Sequence, residues 1–240
     1  MAVRKLMPQS PTSISTFNLC PRQYQAKYIT KEVKFESTPA TERGTRWHLH
    51  LEERLRDKKT LPEETVHFES LVRRLELMRG EKLAETMLAV NSEFKACDYK
   101  VRYVGGKVDA CVINHADCKM AIFDYKTGKV KDSEDFRLQL KLYALAAFAQ
   151  YPHIQQIRVA YIFLDHFQYS PIGEDGKKGL LFTRADVPIL EDEIKRNIDR
   201  IKVATEKDEW IPNPNPLCKV SIKNGGKPWC QVKSCPFWGK

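Results

Sequence analysis

Two acidic residues on either side of one turn constrain the fold of this chain more than any other feature. Residues 101–112 and 120–125 are rich in β-branched and aromatic side chains, which predicts two strands joined by the polar turn between them. A hairpin about that turn places Asp109 across from Asp124, or one step diagonal to it. Side chains two positions apart on a strand share a face, so Asp124 and Lys126 point the same way. The sequence therefore predicts two carboxylates and one ammonium group on a single patch.

The residue types on this patch indicate a metal site. Two neighbouring carboxylates repel each other unless a cation lies between them. A few oxygen ligands suit Mg²⁺ or Mn²⁺, which also accept phosphate oxygens, and a lysine beside the metal can orient a water molecule or offset charge on a phosphate. A lone D-x-K pattern is more often a solvated strand face. Here the apolar residues 121–123 lead into Asp124, which is typical of a central strand.

The hydrophobic periodicity of the rest of the chain predicts an α/β fold. Helical patterns alternate with short β-rich runs, which predicts a mixed β-sheet flanked by helices. The helical segments are residues 13–19, 22–28, 41–57, 63–78 and 135–150 and a last helix that opens at Asp186, and the further strands are residues 156–164 and 180–183.

The composition favours a polyanionic partner and argues against a membrane or secreted protein. The 240 residues include 40 Lys and Arg against 31 Asp and Glu, a formal net charge of +9. No run of apolar residues is long enough for a membrane span, and the first residues do not form a secretory signal. Seven cysteines are an odd number, which disfavours a disulfide framework. We expect a cytoplasmic protein of a bacterium or of a phage-infected cell.

Five short motifs occur in the order found in one nuclease family. They are Gly106-Lys107-Val108-Asp109, Asp124-Tyr125-Lys126, the Gly44…His48 helix motif, the Gln139…Tyr143 helix motif, and an N-terminal segment around Cys20. Together they resemble the PD-(D/E)xK nuclease superfamily, in its RecB/AddB-like exonuclease branch with a C-terminal cysteine cluster. The resemblance spans residues 13–236.

The resemblance implies a restriction-endonuclease-like core with the chain termini joined at a four-cysteine site. It implies one nuclease domain over residues 1–240, made of an N-terminal cysteine segment, a core and a C-terminal cysteine tail at residues 9–30, 40–205 and 206–240. The family's roles, carried to the matching positions, give a catalytic set and a metal-binding set. The catalytic set is Asp109, Asp124, Lys126, Gln139 and Tyr143, and the metal ligands are His48, Asp109, Asp124 and the carbonyl of Tyr125.

The implied activity is metal-dependent hydrolysis of DNA. The family suggests an exonuclease that acts on single strands or duplex ends in recombination, repair, phage replication or CRISPR-type DNA processing, with Mg²⁺ or Mn²⁺. One further acidic ligand is expected upstream of Asp109. Glu85 precedes a strand-like run at residues 86–90 and is the first choice, and Glu93 competes with it.

The C-terminal cysteines need an explanation other than disulfides. Cys218, Cys230 and Cys235 lie close together in sequence, and the resemblance places Cys20 against them. Four thiolates fit an iron–sulfur cluster or Zn²⁺, and in this nuclease branch such a set holds a [4Fe-4S] cluster. The gap between Cys218 and Cys230 is longer than the family's usual spacing, which leaves zinc or no metal open. The remaining cysteines are interpreted as small apolar side chains, namely Cys97, Cys111 and Cys118.

Two other functions compete with the nuclease hypothesis. One is a catalytically degenerate nuclease fold that only holds DNA. The other is a zinc-stabilised nucleic-acid-binding protein in which the carboxylates are incidental. The complete set of Asp109, Asp124 and Lys126 favours the enzyme, because a binding protein has no need of it.

Overall fold

The computed structural model describes residues 6–34 and 37–240, without the side chain of residue 224. The chain divides into two compact units. One unit is Ser37–Asp192, which we call the sheet unit. The other combines Met1–Glu36 with Glu193–Lys240, which we call the terminal unit. Each unit is described separately below.

The sheet unit is built on a mixed β-sheet. Its strands, in chain order, are β1 (Glu81–Val90), β2 (Val104–Asn114), β3 (Lys119–Lys126), β4 (Gln156–Phe163), β5 (Gln168–Ser170) and β6 (Leu180–Thr183). The spatial order is β1-β2-β3-β4-β5, and β6 also pairs with β4. The β3–β4 pair is parallel and the other pairs are antiparallel.

The parallel pair requires a crossover, which a long helix supplies. Helix α5 (Glu134–Gln150) connects β3 to β4 and packs on strands β1, β2 and β4. Nine of its residues are buried, almost all of them apolar. A helix that is apolar around most of its circumference must be buried on more than one side. This burial fixes α5 beside the ends of β2 and β3 that carry the acidic residues.

The other face of the sheet is covered by two amphipathic helices. Helix α3 (Pro39–Asp57) is capped at its N-terminus by Thr38, whose hydroxyl accepts a hydrogen bond from the Thr41 amide. Helix α4 (Glu69–Leu77) packs against α3. Their apolar stripes meet alternate residues of β2, β3 and β4 in one core cluster. The cluster contains Ala110 and Phe123, the immediate neighbours of the two acidic residues. Because successive strand residues face opposite sides, Asp124 points toward the α5 face, where Gln139 and Tyr143 bond it.

The terminal unit joins the two ends of the chain around an aromatic core. Its helices are α1 (Pro11–Leu19), α2 (Pro21–Tyr24) and the part of α6 (Val187–Lys207) from residue 193 onward. Helix α2 continues as a π-helical turn over Gln25–Ile29. Strands β7 (Val220–Ser221) and β8 (Lys227–Pro228) form a two-stranded ribbon. Tyr24 stacks on Trp210 at a centroid distance of 5.7 Å, and Phe17 packs edge-on against both rings. Burial raises the pKa of Tyr24 to about 12.

The predicted α/β fold, with a mixed sheet flanked by helices, is confirmed. Strand β1 begins at Glu81, earlier than the expected run at residues 86–90, and the helix expected at residues 63–78 is shorter, as α4 begins at Glu69. The short strands β5, β7 and β8 were not expected, because two or three residues carry too little periodicity to be recognised. Within the described residues, no helix is long and apolar enough to cross a membrane.

Helix α3 offers a direct test of the packing. Leu51 is fully buried in the core cluster, whereas Leu49 on the same helix is 48% exposed. We expect Leu51→Ala to lower the free energy of unfolding by about 2–5 kcal/mol, because it leaves a cavity between helix and sheet. Leu49→Ala should change it by less than about 0.5 kcal/mol. Urea unfolding of both variants measures this, and equal midpoints would contradict the assigned face of α3.

Candidate active site

The β2–β3 hairpin brings the two acidic residues together. The ladder between β2 and β3 ends at the pair of Ala110 and Phe123, and Asp109 and Asp124 are the next residues along the two strands. Both are buried, at 8% and 5% exposure. They are close enough for the charge of Asp109 to raise the pKa of Asp124. Asp124 is bonded by helix α5, whereas Asp109 contacts His48 of helix α3.

Lys126 completes the patch. Its Nζ atom lies 2.6 Å from Oδ2 of Asp124, and its side chain remains 27% exposed. The same ammonium lies 5.0 Å from the centre of the Tyr161 ring. The lysine is thus held between a buried carboxylate and an aromatic face while part of it still reaches solvent.

His48 approaches the patch from helix α3. Its Nδ1 atom lies 2.9 Å from Oδ1 of Asp109. One helical turn earlier, Gly44 lies against the residue that follows Lys126, and a Cβ added there would come within 3.2 Å of Thr127 Oγ1. The absence of a side chain at Gly44 lets the helix come close to the end of β3. This close approach explains the spacing of the Gly44…His48 motif.

Tyr125 contributes its backbone. Its amide donates a hydrogen bond of 2.5 Å to Oδ2 of Asp109. Its ring is 2% exposed within the core cluster and contacts the His48 ring edge-on. Since the ring lies on the opposite side of the sheet, the backbone is the part of Tyr125 that can serve the acidic patch.

Two residues of helix α5 hold the buried carboxylate of Asp124. Gln139 Nε2 donates to Oδ1 at 3.1 Å, and the Tyr143 hydroxyl donates to the same oxygen at 3.0 Å. The two side chains are one helical turn apart and also bond each other at 2.6 Å. This is the arrangement expected for residues that position Asp124.

Tyr161 supports the same network and was not singled out from the sequence. Its hydroxyl lies 3.1 Å from Oε1 of Gln139, which orients the amide so that its NH₂ group faces Asp124. The parallel register pairs Tyr161 with Asp124. Only the pairing of β3 with β4 reveals this, because the two residues are far apart in sequence.

Glu85, the first of the two choices for an additional acidic residue, lies on β1 beside β2. The β1–β2 ladder pairs residues on both sides of it, and the same register sets Glu85 opposite Asp109. Its φ of +53° is unusual for a residue with a side chain. Its carboxylate forms an ion pair with Lys107. Glu93 is instead 68% exposed at the side chain and pairs with Lys95.

An open cleft of about 650 Å³ gives solvent access to this region. The functional candidates that line it are His48, Glu52, Glu85, Lys107, Asp109 and Thr127. Glu52 and Lys107 were not assigned from the sequence. Their spacing offered a signal, because Glu52 follows His48 by one helical turn and Lys107 precedes Asp109 by two strand positions.

The electrostatics of the patch favour a bound cation. Burial raises the pKa of Asp124, the charge of Lys126 opposes this shift, and the nearby Asp109 raises the pKa further. Burial also raises the pKa of Tyr143, and the charge of Asp124 adds to that effect. Among the described residues, Oδ2 of Asp124 receives no hydrogen bond of normal geometry although Lys126 lies beside it.

The donor set fits a hard divalent cation in its chemistry. Carboxylate oxygens and a neutral imidazole are ligands for Mg²⁺ or Mn²⁺, and Oδ2 of Asp124 is left with Lys126 as its neighbouring cation. In the part of the chain that the structure describes, no group of three or more His, Cys, Asp or Glu side chains is arranged to hold a metal ion. Lys126 and His48 instead contact the two carboxylates directly.

In the terminal unit, the four cysteines singled out from the sequence line one small pocket. They are Cys20, Cys218, Cys230 and Cys235. The Asn213 amide donates to the sulfur of Cys20 at 3.4 Å. Burial raises the pKa of Cys230, and the other three cysteines contribute in the same direction.

The remaining cysteines lie outside this pocket. Cys111 is fully buried in β2, which agrees with its interpretation as a small apolar residue, and Cys97 and Cys118 are partly exposed.

The raised pKa of Asp124 makes a prediction for the metal-free protein. Because the folded-state pKa lies above the unfolded value, this group's contribution to stability is complete below the unfolded pKa and is lost as the pH rises through the folded pKa. We expect Asp124→Asn to raise the melting temperature in EDTA at pH 7, with a smaller gain at acidic pH. Thermal unfolding at both pH values tests this.

The matched control for this substitution is Asp175→Asn. A hydrogen bond from Arg158 lowers the pKa of Asp175, so neutralising this exposed residue should give no gain at pH 7. A melting temperature of Asp124→Asn at or below that of the wild type at pH 7 would show that ionised Asp124 does not destabilise the apo protein.

Two solved structures are similar to this chain. A crystal structure from Eubacterium rectale, described as a "Putative exonuclease", shares 14% sequence identity with a TM-score of 0.52, covering 90% of this chain and 88% of that one. The protein SSO0001 shares 17% identity with a TM-score of 0.48, covering 99% and 90%. No curated protein matches the sequence.

The family assignment follows from the sequence as a whole. A sequence model of the PD-(D/E)XK nuclease superfamily matches residues 8–238, which includes the hairpin, the flanking helix motifs and all four cysteines of the small pocket. The chain belongs to the PD-(D/E)XK nuclease superfamily.

Proposed function

We propose that this nuclease is a Mg²⁺- or Mn²⁺-dependent deoxyribonuclease that degrades DNA from an end. The observation that carries the proposal is the convergence of Asp109, Asp124 and Lys126 where the β2–β3 ladder ends, with His48 reaching Asp109 from α3. The biological setting inferred from the RecB/AddB-like motifs is recombination, repair, phage replication or CRISPR-type processing in the cytoplasm of a bacterium or an infected cell.

His48, Asp109, Asp124 and the Tyr125 carbonyl would hold the ion, with Glu85 as an additional acidic group. When bound, such an ion neutralises the carboxylates, accepts a phosphate oxygen and lowers the pKa of a water molecule. Glu85 would first have to leave its ion pair with Lys107. That exchange would free the Lys107 ammonium for a phosphate of the substrate.

Lys126 is the residue proposed to orient the attacking water. Its ammonium is partly exposed beside Asp124, so it can face both water and a phosphate. Hydrolysis forms a bond between the water oxygen and phosphorus and breaks one P–O ester bond, whose oxygen must take up a proton. The lysine can offset the negative charge that develops on the phosphate during this step.

Gln139 and Tyr143 would act through Asp124. Both donate to its Oδ1 atom, which leaves Oδ2 beside Lys126. Holding the carboxylate in one rotamer before the substrate arrives lowers the reorganisation needed during the reaction.

The nuclease activity can be tested on end-labelled DNA. We expect Mn²⁺- or Mg²⁺-dependent shortening of linear single- and double-stranded DNA, and no cutting of closed circular single strands if the enzyme needs an end. Lys126→Met and Asp124→Asn should slow cleavage by about a hundredfold or more, because each removes a group that contacts the reacting centre.

The matched control is Lys119→Met, which makes the same substitution at the exposed start of the same strand and should cut at the wild-type rate. If Lys126→Met cuts DNA at the wild-type rate, the active-site assignment is wrong. DNA binding without any metal-dependent cleavage by the wild type would instead identify a degenerate nuclease that only holds DNA.

We further propose that Cys20, Cys218, Cys230 and Cys235 hold a [4Fe-4S] cluster, with Zn²⁺ as the alternative. The long gap between Cys218 and Cys230 does not argue against this, because the Cys230 amide bonds the Leu217 carbonyl at 2.9 Å and closes the intervening residues into a loop. Since the family match covers both units, we treat residues 1–240 as one nuclease domain whose ends this site fastens.

The cluster proposal is tested by anaerobic purification. We expect a brown protein with broad absorption near roughly 400 nm and about four iron atoms per chain. Cys218→Ser should lose colour and iron and unfold at a lower temperature, since the bound group clips distant parts of the chain. Cys118→Ser, outside the set, should retain both. A colourless wild type with one zinc per chain would establish the zinc alternative.

A further inference from the structure

The net positive charge of this protein comes entirely from one of its two units. The sheet unit contains 24 basic and 24 acidic residues, so its formal charge is zero. The terminal unit contains 16 basic and 7 acidic residues and carries the whole excess of +9. The unit that holds the carboxylate site is therefore not the one that supplies long-range attraction to a polyanion.

The last thirty residues concentrate this charge further. Residues 211–240 contain five lysines and no aspartate or glutamate. All five are exposed, and they are Lys219, Lys223, Lys227, Lys233 and Lys240. Three of them fall between Cys218 and Cys230, in the stretch that departs from the family's cysteine spacing.

That stretch folds into a hairpin, which we call the basic hairpin (residues 219–229). Strands β7 and β8 pair, and the chain reverses at Gly225 and Gly226, which adopt φ values of +62° and +76°. The bond from Cys230 to Leu217 closes its base. The hairpin is thus a projection anchored between two of the four cysteines.

Apolar side chains on the basic hairpin are unusually exposed. Ile222, near the tip, is 94% exposed, Val220 is 57% exposed, and Trp229 at the base is 53% exposed. Leaving large apolar groups in water is unfavourable, and such groups grouped on a surface commonly mark a binding site. Here they alternate with lysines, so their partner must offer both apolar faces and negative charge.

We propose that the basic hairpin binds single-stranded DNA, with Trp229 stacking on a base and Lys219 and Lys223 contacting phosphates. The inference rests on the nuclease function proposed above and adds the substrate form. A stacking aromatic needs an open base face, which a single strand offers throughout and a duplex offers only at its ends. An anionic membrane surface is less well matched, because three exposed apolar side chains on a short hairpin provide little area to insert.

Binding of a fluorescein-labelled single-stranded oligonucleotide in EDTA tests the proposal without cleavage. We expect Trp229→Ala to weaken binding by roughly five- to a hundredfold, and Trp229→Phe, which keeps a ring, to retain most of the affinity. Lys219→Ala/Lys223→Ala should reduce the slope of log Kd against log salt by about 1.4. Fluorescence anisotropy at several salt concentrations measures both effects.

The charge-matched control is Lys59→Ala/Lys95→Ala, which removes two exposed lysines of the sheet unit and should leave the slope unchanged. Melting temperatures of all variants establish that they are folded. If the hairpin variants bind single strands as tightly as the wild type, or if they lose binding to phosphatidylglycerol vesicles but not to DNA, the proposal is wrong.

The outcomes for the two proposals are separable. A wild type that cuts linear DNA while its hairpin variants bind and cut normally would overturn the basic hairpin and leave the nuclease intact. A wild type that binds single strands through the hairpin but never cuts would support the hairpin and remove the nuclease. For an active enzyme, we expect the hairpin variants to raise KM for single strands and to leave kcat unchanged.

Discussion

The burial of the Asp124 carboxylate is the constraint on which the rest of the sheet unit depends. A carboxylate that is 5% exposed is stable in its charged form only if neighbouring groups replace its lost hydration. Gln139 and Tyr143 supply two hydrogen bonds and Lys126 supplies a positive charge. Gln139 and Tyr143 both come from helix α5, so the Asp124 side chain links β3 to the helix that follows it.

The same burial makes a negative charge at this site costly, which would favour binding of a cation. The raised pKa of Asp124 means that the surrounding donors and Lys126 do not fully offset the cost of burying the negative charge. Asp109 adds a second carboxylate nearby, which increases that cost. A divalent ion would remove the repulsion between them, whereas the apo protein must rely on Lys126 and on the contact between His48 and Asp109. Two carboxylates and one ammonium group therefore share a largely buried site, and the proposed ion would offset their excess of negative charge.

Much of this arrangement can be predicted from the sequence, because local rules determine it. Period-two alternation places Asp124 and Lys126 on one face, and helical spacing pairs Gln139 with Tyr143. The turn between the strands sets Asp109 opposite Asp124. Tyr161 could not be found in this way, because its place beside Asp124 depends on the register of two parallel strands separated by a whole helix. The ion pair between Glu85 and Lys107 likewise depends on the pairing of β1 with β2 and on an unusual backbone conformation at Glu85.

The net positive charge belongs to the terminal unit, whereas the two carboxylates belong to the sheet unit. A strongly basic environment around Asp109 and Asp124 would stabilise both carboxylates without a metal and would weaken the attraction for a divalent ion. With 24 basic and 24 acidic residues, the sheet unit that contains both carboxylates has no net charge of its own. The terminal unit carries the whole excess of +9, so the proposed attraction for a polyanion and the carboxylate site belong to different units of the chain. For a nuclease that used a divalent ion, this division would let lysines be added to the terminal unit without changing the net charge of the sheet unit.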